Sequence, residues 1–151
     1  MRVNDLTGRA LVDTNVLIYA TLTADPRHER AKAVLALRQR KGVELFISVQ
    51  SLAEMYPNLT GPKNQPPDTP TVARDKIRAL SRLRGLTVLP LTVGTVQSAL
   101  EMCVKCGVTR QSYFDSQLAA TMLGENISVI FTENTKNFSD IAGITPLNPF
   151  A

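Results

Sequence analysis

The sequence contains few of the residues that bind zinc or form disulfides. Its 151 residues include only 2 cysteines and 1 histidine. Both cysteines belong to the segment Cys103-Val104-Lys105-Cys106, and a zinc site would need two further ligands. A redox-active pair is expected at the start of a helix, whereas this pair precedes Gly107 at the predicted end of one. We therefore predict two core or partly buried thiols in a reducing compartment.

Long hydrophobic runs are also absent. No apolar run approaches the roughly 20 residues of a membrane span. The segment Met1–Asp5 lacks the apolar stretch of a secretory signal. We therefore expect a cytoplasmic protein that does not bind a membrane. The length and the 44% hydrophobic content predict one domain spanning residues 1–151.

Basic residues outnumber acidic ones. There are 17 Lys and Arg against 13 Asp and Glu, which gives a formal net charge of +4. This excess permits an acidic partner, most commonly a nucleic acid. The basic residues concentrate in two segments on predicted helices, the first with Arg27, Arg30, Lys32, Arg38, Arg40 and Lys41 and the second with Arg74, Lys76, Arg78, Arg82 and Arg84. A solvated helix face and a phosphate-binding surface are both open interpretations of each segment.

Predicted strands and helices alternate along the chain. Strands are predicted at 9–13, 43–47, 86–89, 127–131 and 144–147. Helices are predicted at 16–22, 26–41, from 48, 70–84, 96–106 and 112–123, with Asp25 and Thr69 as N-caps before prolines. The segment Pro57–Pro70 is rich in Pro, Gly and Asn and is predicted to be a loop. The alternation predicts an α/β fold, a three-layer α/β/α sandwich around a mainly parallel sheet.

An isolated acid ends the first predicted strand. Asp13 is the only charged residue between Arg9 and Asp25. Ligands of open α/β sheets bind at the carboxyl ends of the strands. A buried carboxylate at this position is costly unless it is paired, and a bound cation is one natural partner. Asp13 could equally cap the helix that begins near Asn15.

Further acids and amides are predicted at the same sheet edge. Glu54 follows the second strand by about two helical turns, and Asp115 lies in the first turn of a helix. Thr132-Glu133-Asn134 ends the fourth strand. Oxygen ligands without nearby His or Cys suit Mg²⁺ or Mn²⁺, which can activate water for attack on a phosphate ester. Individually, Glu54 could be an exposed helix acid, Asp115 a dipole-stabilising acid and Glu133 a solvated turn residue.

Several motifs together resemble a known family. They are Leu-Val-Asp-Thr-Asn-Val-Leu-Ile-Tyr-Ala from residue 11, Ile-Ser-Val-Gln-Ser-Leu-Ala-Glu-Met-Tyr from residue 47, Tyr-Phe-Asp-Ser-Gln-Leu-Ala-Ala from residue 113 and Phe-Thr-Glu-Asn-Thr-Lys-Asn-Phe from residue 131. In this order they resemble the PIN-domain ribonucleases, most closely the VapC toxins of type II toxin–antitoxin systems. The resemblance covers roughly residues 9–150.

The resemblance implies a metal-dependent endoribonuclease that acts as the toxin of a toxin–antitoxin pair. It implies RNA as the substrate, a cognate antitoxin and a homodimer as partners, and Mg²⁺ or Mn²⁺ as the cofactor. By the same resemblance, Asp13, Glu54 and Asp115 are catalytic and hold the metal. Thr14, Asn15 and Thr132 are supporting residues. They orient Asp13 or stabilise the residue at a fourth metal-binding position, which follows the fourth strand.

The chain departs from the family pattern at this fourth position. The family usually has Asp where this sequence has Asn134, and often Asp where it has Asn137. Asparagine is a neutral ligand that would bind metal weakly or through water, although Glu133 or Asp140 could compensate. A catalytically weak RNA-binding protein is therefore one alternative. A phosphoryl-transfer enzyme with Asp13 as nucleophile is another, although Asn15 stands where such enzymes have a second Asp.

Overall fold

The molecule is described by a computed structural model that covers residues 1–151. The strands are β1 (Gly8–Val12), β2 (Val43–Ser48), β3 (Leu86–Leu89), β4 (Val129–Phe131) and β5 (Thr145–Leu147). The helices are α1 (Thr14–Thr21), α2 (His28–Ala36), α3 (Val49–Thr60), α4 (Pro70–Ser81), α5 (Val93–Cys106) and α6 (Tyr113–Gly124). The strands form one sheet of order β3-β2-β1-β4-β5, and every pairing is parallel.

The sheet is buried on both faces, because its apolar residues point alternately to either side. Ala10 and Val12 of β1 pack with residues of α1 to α4 in one cluster. Leu11 points the other way and packs with Leu118 and Met122 of α6. The predicted three-layer α/β/α arrangement is therefore confirmed.

The helix ends follow the predicted capping signals in part. Thr69 caps α4 by accepting a hydrogen bond from the Val72 amide at 3.2 Å, with Pro70 as the first helical residue. The prediction that Asp25 caps α2 is wrong. That helix begins at His28, and the Asp25 carboxylate instead accepts hydrogen bonds from Arg27. No helix of the chain combines the length and the apolarity that crossing a bilayer requires.

The cysteines lie at the end of α5, which stops at Gly107 in the left-handed conformation (φ 68°). Both thiols are free. Cys103 is half-buried as predicted, whereas Cys106 is exposed and corrects the prediction of two partly buried thiols. Cys106 is the last residue of the helix.

The loop predicted from Pro57 begins only at Gly61, because α3 continues to Thr60 with Pro57 inside it. Proline removes one helical hydrogen bond, but tertiary packing can override this cost. Met55 and Leu59, on either side of Pro57, are fully buried in the core. The following loop also folds back on the helix, since the Asp68 amide donates to the Leu59 carbonyl at 2.8 Å.

The order of the strands determines where a ligand can bind. From β1 the chain proceeds outward through β2 to β3, and it then returns to place β4 and β5 on the other side of β1. Val12 at the end of β1 pairs with Phe131 at the end of β4. The connection that follows β1 leads to one side of the sheet and the connection that follows β4 leads to the other. Such switch points form crevices at the carboxyl ends of parallel strands.

Candidate functional site

Asp13 lies at the switch point between β1 and β4. It is the N-cap of α1 and accepts a hydrogen bond from the Thr14 amide at 2.8 Å. The Thr132 hydroxyl, which follows β4, donates to the same carboxylate at 2.8 Å, and the Asn15 amide lies at 3.4 Å. Asp13 is only 9% exposed, and burial raises its pKa while these hydrogen bonds oppose the shift. Asp13 therefore both caps a helix and presents a buried carboxylate at the crevice.

Glu54 reaches the same crevice from α3. The Thr14 hydroxyl donates to Glu54 Oε2 at 3.0 Å, so Thr14 joins the Asp13 and Glu54 carboxylates through its amide and its hydroxyl. On the other side, Gln50 donates to Glu54 Oε1 at 3.0 Å. The Glu54 side chain is thus held toward the crevice and is not a freely solvated helix acid.

Asp115 enters the crevice from the first turn of α6. Its carboxylate accepts no hydrogen bond from the rest of the chain. Partial burial, followed by the negative charges of Asp13 and Glu54, raises the pKa of Asp115 to about 6. Three acids from distant parts of the sequence therefore lie close enough to repel one another, and this repulsion is the condition that a bound cation relieves.

A chain of polar side chains from α6 supports this arrangement and was not predicted from the sequence. The Tyr113 hydroxyl donates to Gln117 at 2.8 Å, and the Gln117 amide donates to Gln50 at 2.8 Å. Gln50 in turn donates to Glu54. Buried glutamine next to an acidic crevice is the signal that could have identified this chain, since Gln117 is only 5% exposed.

Glu133 lines the crevice, but its carboxylate is already paired. Arg27 Nη1 lies 2.9 Å from Glu133 Oε1, and the Tyr19 hydroxyl donates to Glu133 Oε2 at 2.6 Å. Arg27 also binds both carboxylate oxygens of Asp25 at 2.9 Å and stacks on the Tyr19 ring at 3.7 Å. Burial and the neighbouring Glu133 raise the pKa of Tyr19 to about 12, which keeps its hydroxyl protonated as a donor. The charge of Glu133 is therefore neutralised within the chain.

Asn134 is exposed at the edge of the crevice. Its backbone amide donates to the Thr132 hydroxyl at 3.0 Å, while its side chain makes no hydrogen bond within the chain. Asp140 is exposed and does not line the crevice. The only histidine, His28, is buried at the start of α2, with its ring Nδ1 2.9 Å from the Tyr19 carbonyl oxygen.

These side chains surround one cavity of about 530 Å³, which we call the acidic cavity. Its lining includes residues from α1, the following turn, α3, the loop after α3, α6 and the end of β4: Asp13, Thr14, Asn15, Ile18, Tyr19, Leu22, Asp25, Arg27, Glu54, Asn58, Lys63, Asn64, Asp115, Glu133 and Asn134. Thr132 is fully buried beneath it and bonds to Asp13. The predicted catalytic, metal-binding and supporting residues are therefore brought to this one place, whereas Asp140 is not.

The donor set of the acidic cavity fits a hard divalent cation. Carboxylate and amide oxygens are the ligands that Mg²⁺ and Mn²⁺ prefer. No three Asp, Glu, His or Cys side chains are arranged as a set that could hold an ion as they stand. Mg²⁺ commonly binds through one or two carboxylates and keeps several waters, so a site of this kind does not require three direct protein carboxylates.

The chain is similar to known proteins in both sequence and fold. The family model described as the PIN domain matches residues 10–144. A search of functionally curated proteins found no match. Among solved structures, the chain is similar to Mycobacterium tuberculosis VapC20, a toxin that cleaves the sarcin-ricin loop, with a TM-score of 0.71 and 20% identity over 93% of this chain and 99% of that one.

Two further similar structures are toxin–antitoxin complexes. VapBC2 from Rickettsia felis, bound to a DNA fragment from its promoter, matches with a TM-score of 0.65 and 19% identity over 93% of this chain and 98% of that one. VapBC-1 from nontypeable Haemophilus influenzae matches with a TM-score of 0.65 and 19% identity over 95% and 99% of the two chains. At these identities the structures establish the fold. Together with the match over residues 10–144, they show that the chain belongs to the PIN-domain family, a family of metal-dependent nucleases.

Proposed function

We propose that this protein is a metal-dependent endoribonuclease and the toxin of a type II toxin–antitoxin pair. The observation that carries the proposal is the convergence of Asp13, Glu54 and Asp115 in one cavity at the switch point of the sheet. Partial burial, together with the negative charges of Asp13 and Glu54, raises the pKa of Asp115, and a bound cation would offset both effects.

In this proposal, the carboxylates of Asp13, Glu54 and Asp115 would hold Mg²⁺ or Mn²⁺. Thr14 and Thr132 orient the Asp13 carboxylate through their hydrogen bonds. The Asn15 side chain supports the same carboxylate, and its Oδ1 accepts a hydrogen bond from the Glu133 backbone amide at 3.1 Å. Asn134 contributes a neutral carbonyl oxygen, either weakly or through water.

The reaction is hydrolysis of an RNA phosphodiester. A cation held by these carboxylates would stabilise the negative charge that develops on the phosphate and would favour deprotonation of water. The water oxygen forms a bond to phosphorus, and the bond from phosphorus to the 3′ oxygen breaks. The leaving 3′ oxygen takes a proton, and the water proton passes to solvent or to a cavity carboxylate. The products carry 5′-phosphate and 3′-hydroxyl ends.

Incubation of the purified protein with a mixed RNA pool tests this proposal. We expect cleavage with Mg²⁺ or Mn²⁺, none with EDTA, and a loss of at least about 100-fold in Asp13→Ala and Asp115→Asn, as for removal of groups that act in the transition state. Asp140→Asn is the matched control, because this acid does not line the cavity. Intact RNA under every condition, with all variants folded, would contradict the proposal.

Metal binding can be measured without cleavage. At a Mg²⁺ concentration ten times the Kd, binding to the folded state stabilises the protein by about 1.4 kcal/mol. We expect this gain in urea unfolding of the wild type and of Asp140→Asn, but not of Asp13→Ala. Equal gains in all three proteins would place the ion outside the acidic cavity.

A catalytically weak RNA-binding protein is the second candidate. Two observations favour it, since Asn134 is neutral and the Glu133 carboxylate is occupied by Arg27 and Tyr19. Asn134→Asp distinguishes the two candidates. Markedly faster metal-dependent cleavage by Asn134→Asp than by the wild type would support a weakened site. Equally fast metal-dependent cleavage by the two proteins would exclude this alternative.

The proposed partners are a cognate antitoxin and a second copy of the chain. The Rickettsia and Haemophilus relatives are toxin–antitoxin complexes, which supports an antitoxin. Val93, Leu100 and Val104 of α5 are 75%, 50% and 80% exposed, which supports a homodimer through this face. Size-exclusion chromatography with light scattering tests it, and we expect Leu100→Glu with Val104→Glu to yield monomers.

A further inference from the structure

A second cavity, of about 660 Å³, lies against α4. Arg74, Arg78 and Arg82 line it together with Tyr56 of α3, and no acidic residue does so. We call this surface the arginine groove. Its arginines recur every four residues, so they share one helix face and follow one another by about 6 Å along the axis.

The positive charge of the arginine groove is largely free. Arg74 contacts Asp75 at 3.0 Å, outside the lining. The guanidinium groups of Arg78 and Arg82 make no hydrogen bond or ion pair with the chain, and all three arginines are exposed. Like charges one helical turn apart repel each other, which a bound polyanion would reverse.

The arginine groove and the acidic cavity are on opposite sides of α3. Glu54 and Asn58 line the acidic cavity, whereas Tyr56 lines the groove. Two residues along a helix correspond to a rotation of about 200°, and the helix is about 10 Å across. A flexible strand that passes over α3 can therefore contact both sites at once.

We propose that the arginine groove binds backbone phosphates of the RNA a few nucleotides away from the cleaved bond. This inference rests on the proposed ribonuclease function and assigns the substrate surface beyond the acidic cavity. Guanidinium groups bind phosphate oxygens in a bidentate manner, and the row of arginines matches a row of phosphates. Tyr56, which is 42% exposed, offers a ring on which a base can stack.

RNA binding in EDTA tests the groove separately from cleavage. The probe is a fluorescein-labelled, mixed-sequence RNA of about 20 nucleotides, longer than a typical single-strand site. In Arg78→Ala with Arg82→Ala we expect the affinity to fall about tenfold and the slope of log K against log salt to decrease by about 1.4. The matched control is Arg84→Ala with Lys105→Ala, which removes the same charge outside the groove.

Cleavage by the same proteins provides the second measurement. We expect the Arg78 and Arg82 variant to cleave the long RNA more slowly. A dinucleotide, whose single phosphate is the one that is cleaved, should be cleaved at the wild-type rate. Equal affinity in groove and control variants, with wild-type cleavage intact, would overturn the groove and leave the proposed function standing. Loss of binding to an acidic protein partner, with unchanged RNA affinity, would also overturn it. Absence of both RNA binding and cleavage in the wild type would overturn both proposals.

Discussion

The two basic segments look alike in the sequence but differ in their contacts. In the first segment, the arginines bind the chain itself: Arg27 to Asp25 and Glu133, Arg30 to the Phe150 carbonyl, Arg38 to the Leu35 and Arg84 carbonyls, and Arg40 to the Asn4 carbonyl. In the second segment, Arg78 and Arg82 have no partner within the chain. The arginines of the first segment therefore join distant parts of the fold. In the second segment Lys76 pairs with Asp68 at 2.8 Å, but Arg78 and Arg82 leave their charge available to a ligand.

The acidic cavity shows the same division. Glu133 is held by Arg27 and Tyr19, whereas Asp115 accepts no hydrogen bond from the chain and has a raised pKa. Charge that is paired inside the molecule contributes to the fold, and charge that is left unpaired is available for binding. Substitutions can test this distinction by comparing stability with ligand binding.

The largest expected difference is between Arg27 and Arg78. Arg27→Ala removes the ion pairs with Asp25 and Glu133 and the stacking on Tyr19. We therefore expect the free energy of unfolding to fall by about 2 kcal/mol. Arg78→Ala removes an exposed, unpaired side chain, and the change should stay within about 0.5 kcal/mol. Urea unfolding in EDTA measures both. Equal destabilisation by the two variants would remove the distinction between the segments.

The next largest effect concerns Asp115 and pH. The pKa of Asp115 is raised to about 6 in the folded protein, so the folded state binds its proton more tightly than the unfolded state does. Stability is therefore lost as pH rises through the interval between the ordinary pKa, about 4, and about 6. Since Asn does not titrate, we expect Asp115→Asn to gain about 1 kcal/mol over the wild type at pH 7.5 relative to pH 4, after allowance for solvent screening.

Urea unfolding at the two pH values in EDTA measures this gain. Asp140→Asn, which changes an acid outside the cavity, serves as the control. Excess Mg²⁺ at pH 7.5 should abolish the advantage of Asp115→Asn, because the ion stabilises only the wild-type carboxylate set. A gain that is independent of both pH and Mg²⁺ would show that Asp115 is not repelled in the cavity.

The smallest expected effect is local and concerns Arg30. Its guanidinium donates to the Phe150 carbonyl at 2.9 Å and contacts the Ala151 carbonyl at 3.3 Å. We expect Arg30→Ala to speed hydrogen exchange over residues 145–151 while global stability changes little. Lys41→Ala, which removes an exposed charge of the same segment, is the control. Unchanged exchange at the C-terminal residues would show that the contact does not order them.

Local patterns predicted most of the fold and the positions of the acids. Asp13 was predictable because a lone carboxylate follows an apolar strand, and parallel strands bring their ends together. Pro57 was misassigned because burial of Met55 and Leu59, which depends on the whole sheet, outweighs the local cost of proline. The pairing of Arg27 with Glu133 could not be predicted, because it joins residues 106 positions apart. The same holds for the hydrogen bond between Gln117 and Gln50.

The hydrogen bond between Thr132 and Asp13 has a consequence for the synthesis of the protein. It joins two residues 119 positions apart and lies at the floor of the acidic cavity. A growing chain that has not yet released β4 from the ribosome contains Asp13 and Glu54 but not the wall that completes their site. Under the proposed function, the chain could cleave RNA only after Thr132 has left the ribosome and can hold the Asp13 carboxylate in place.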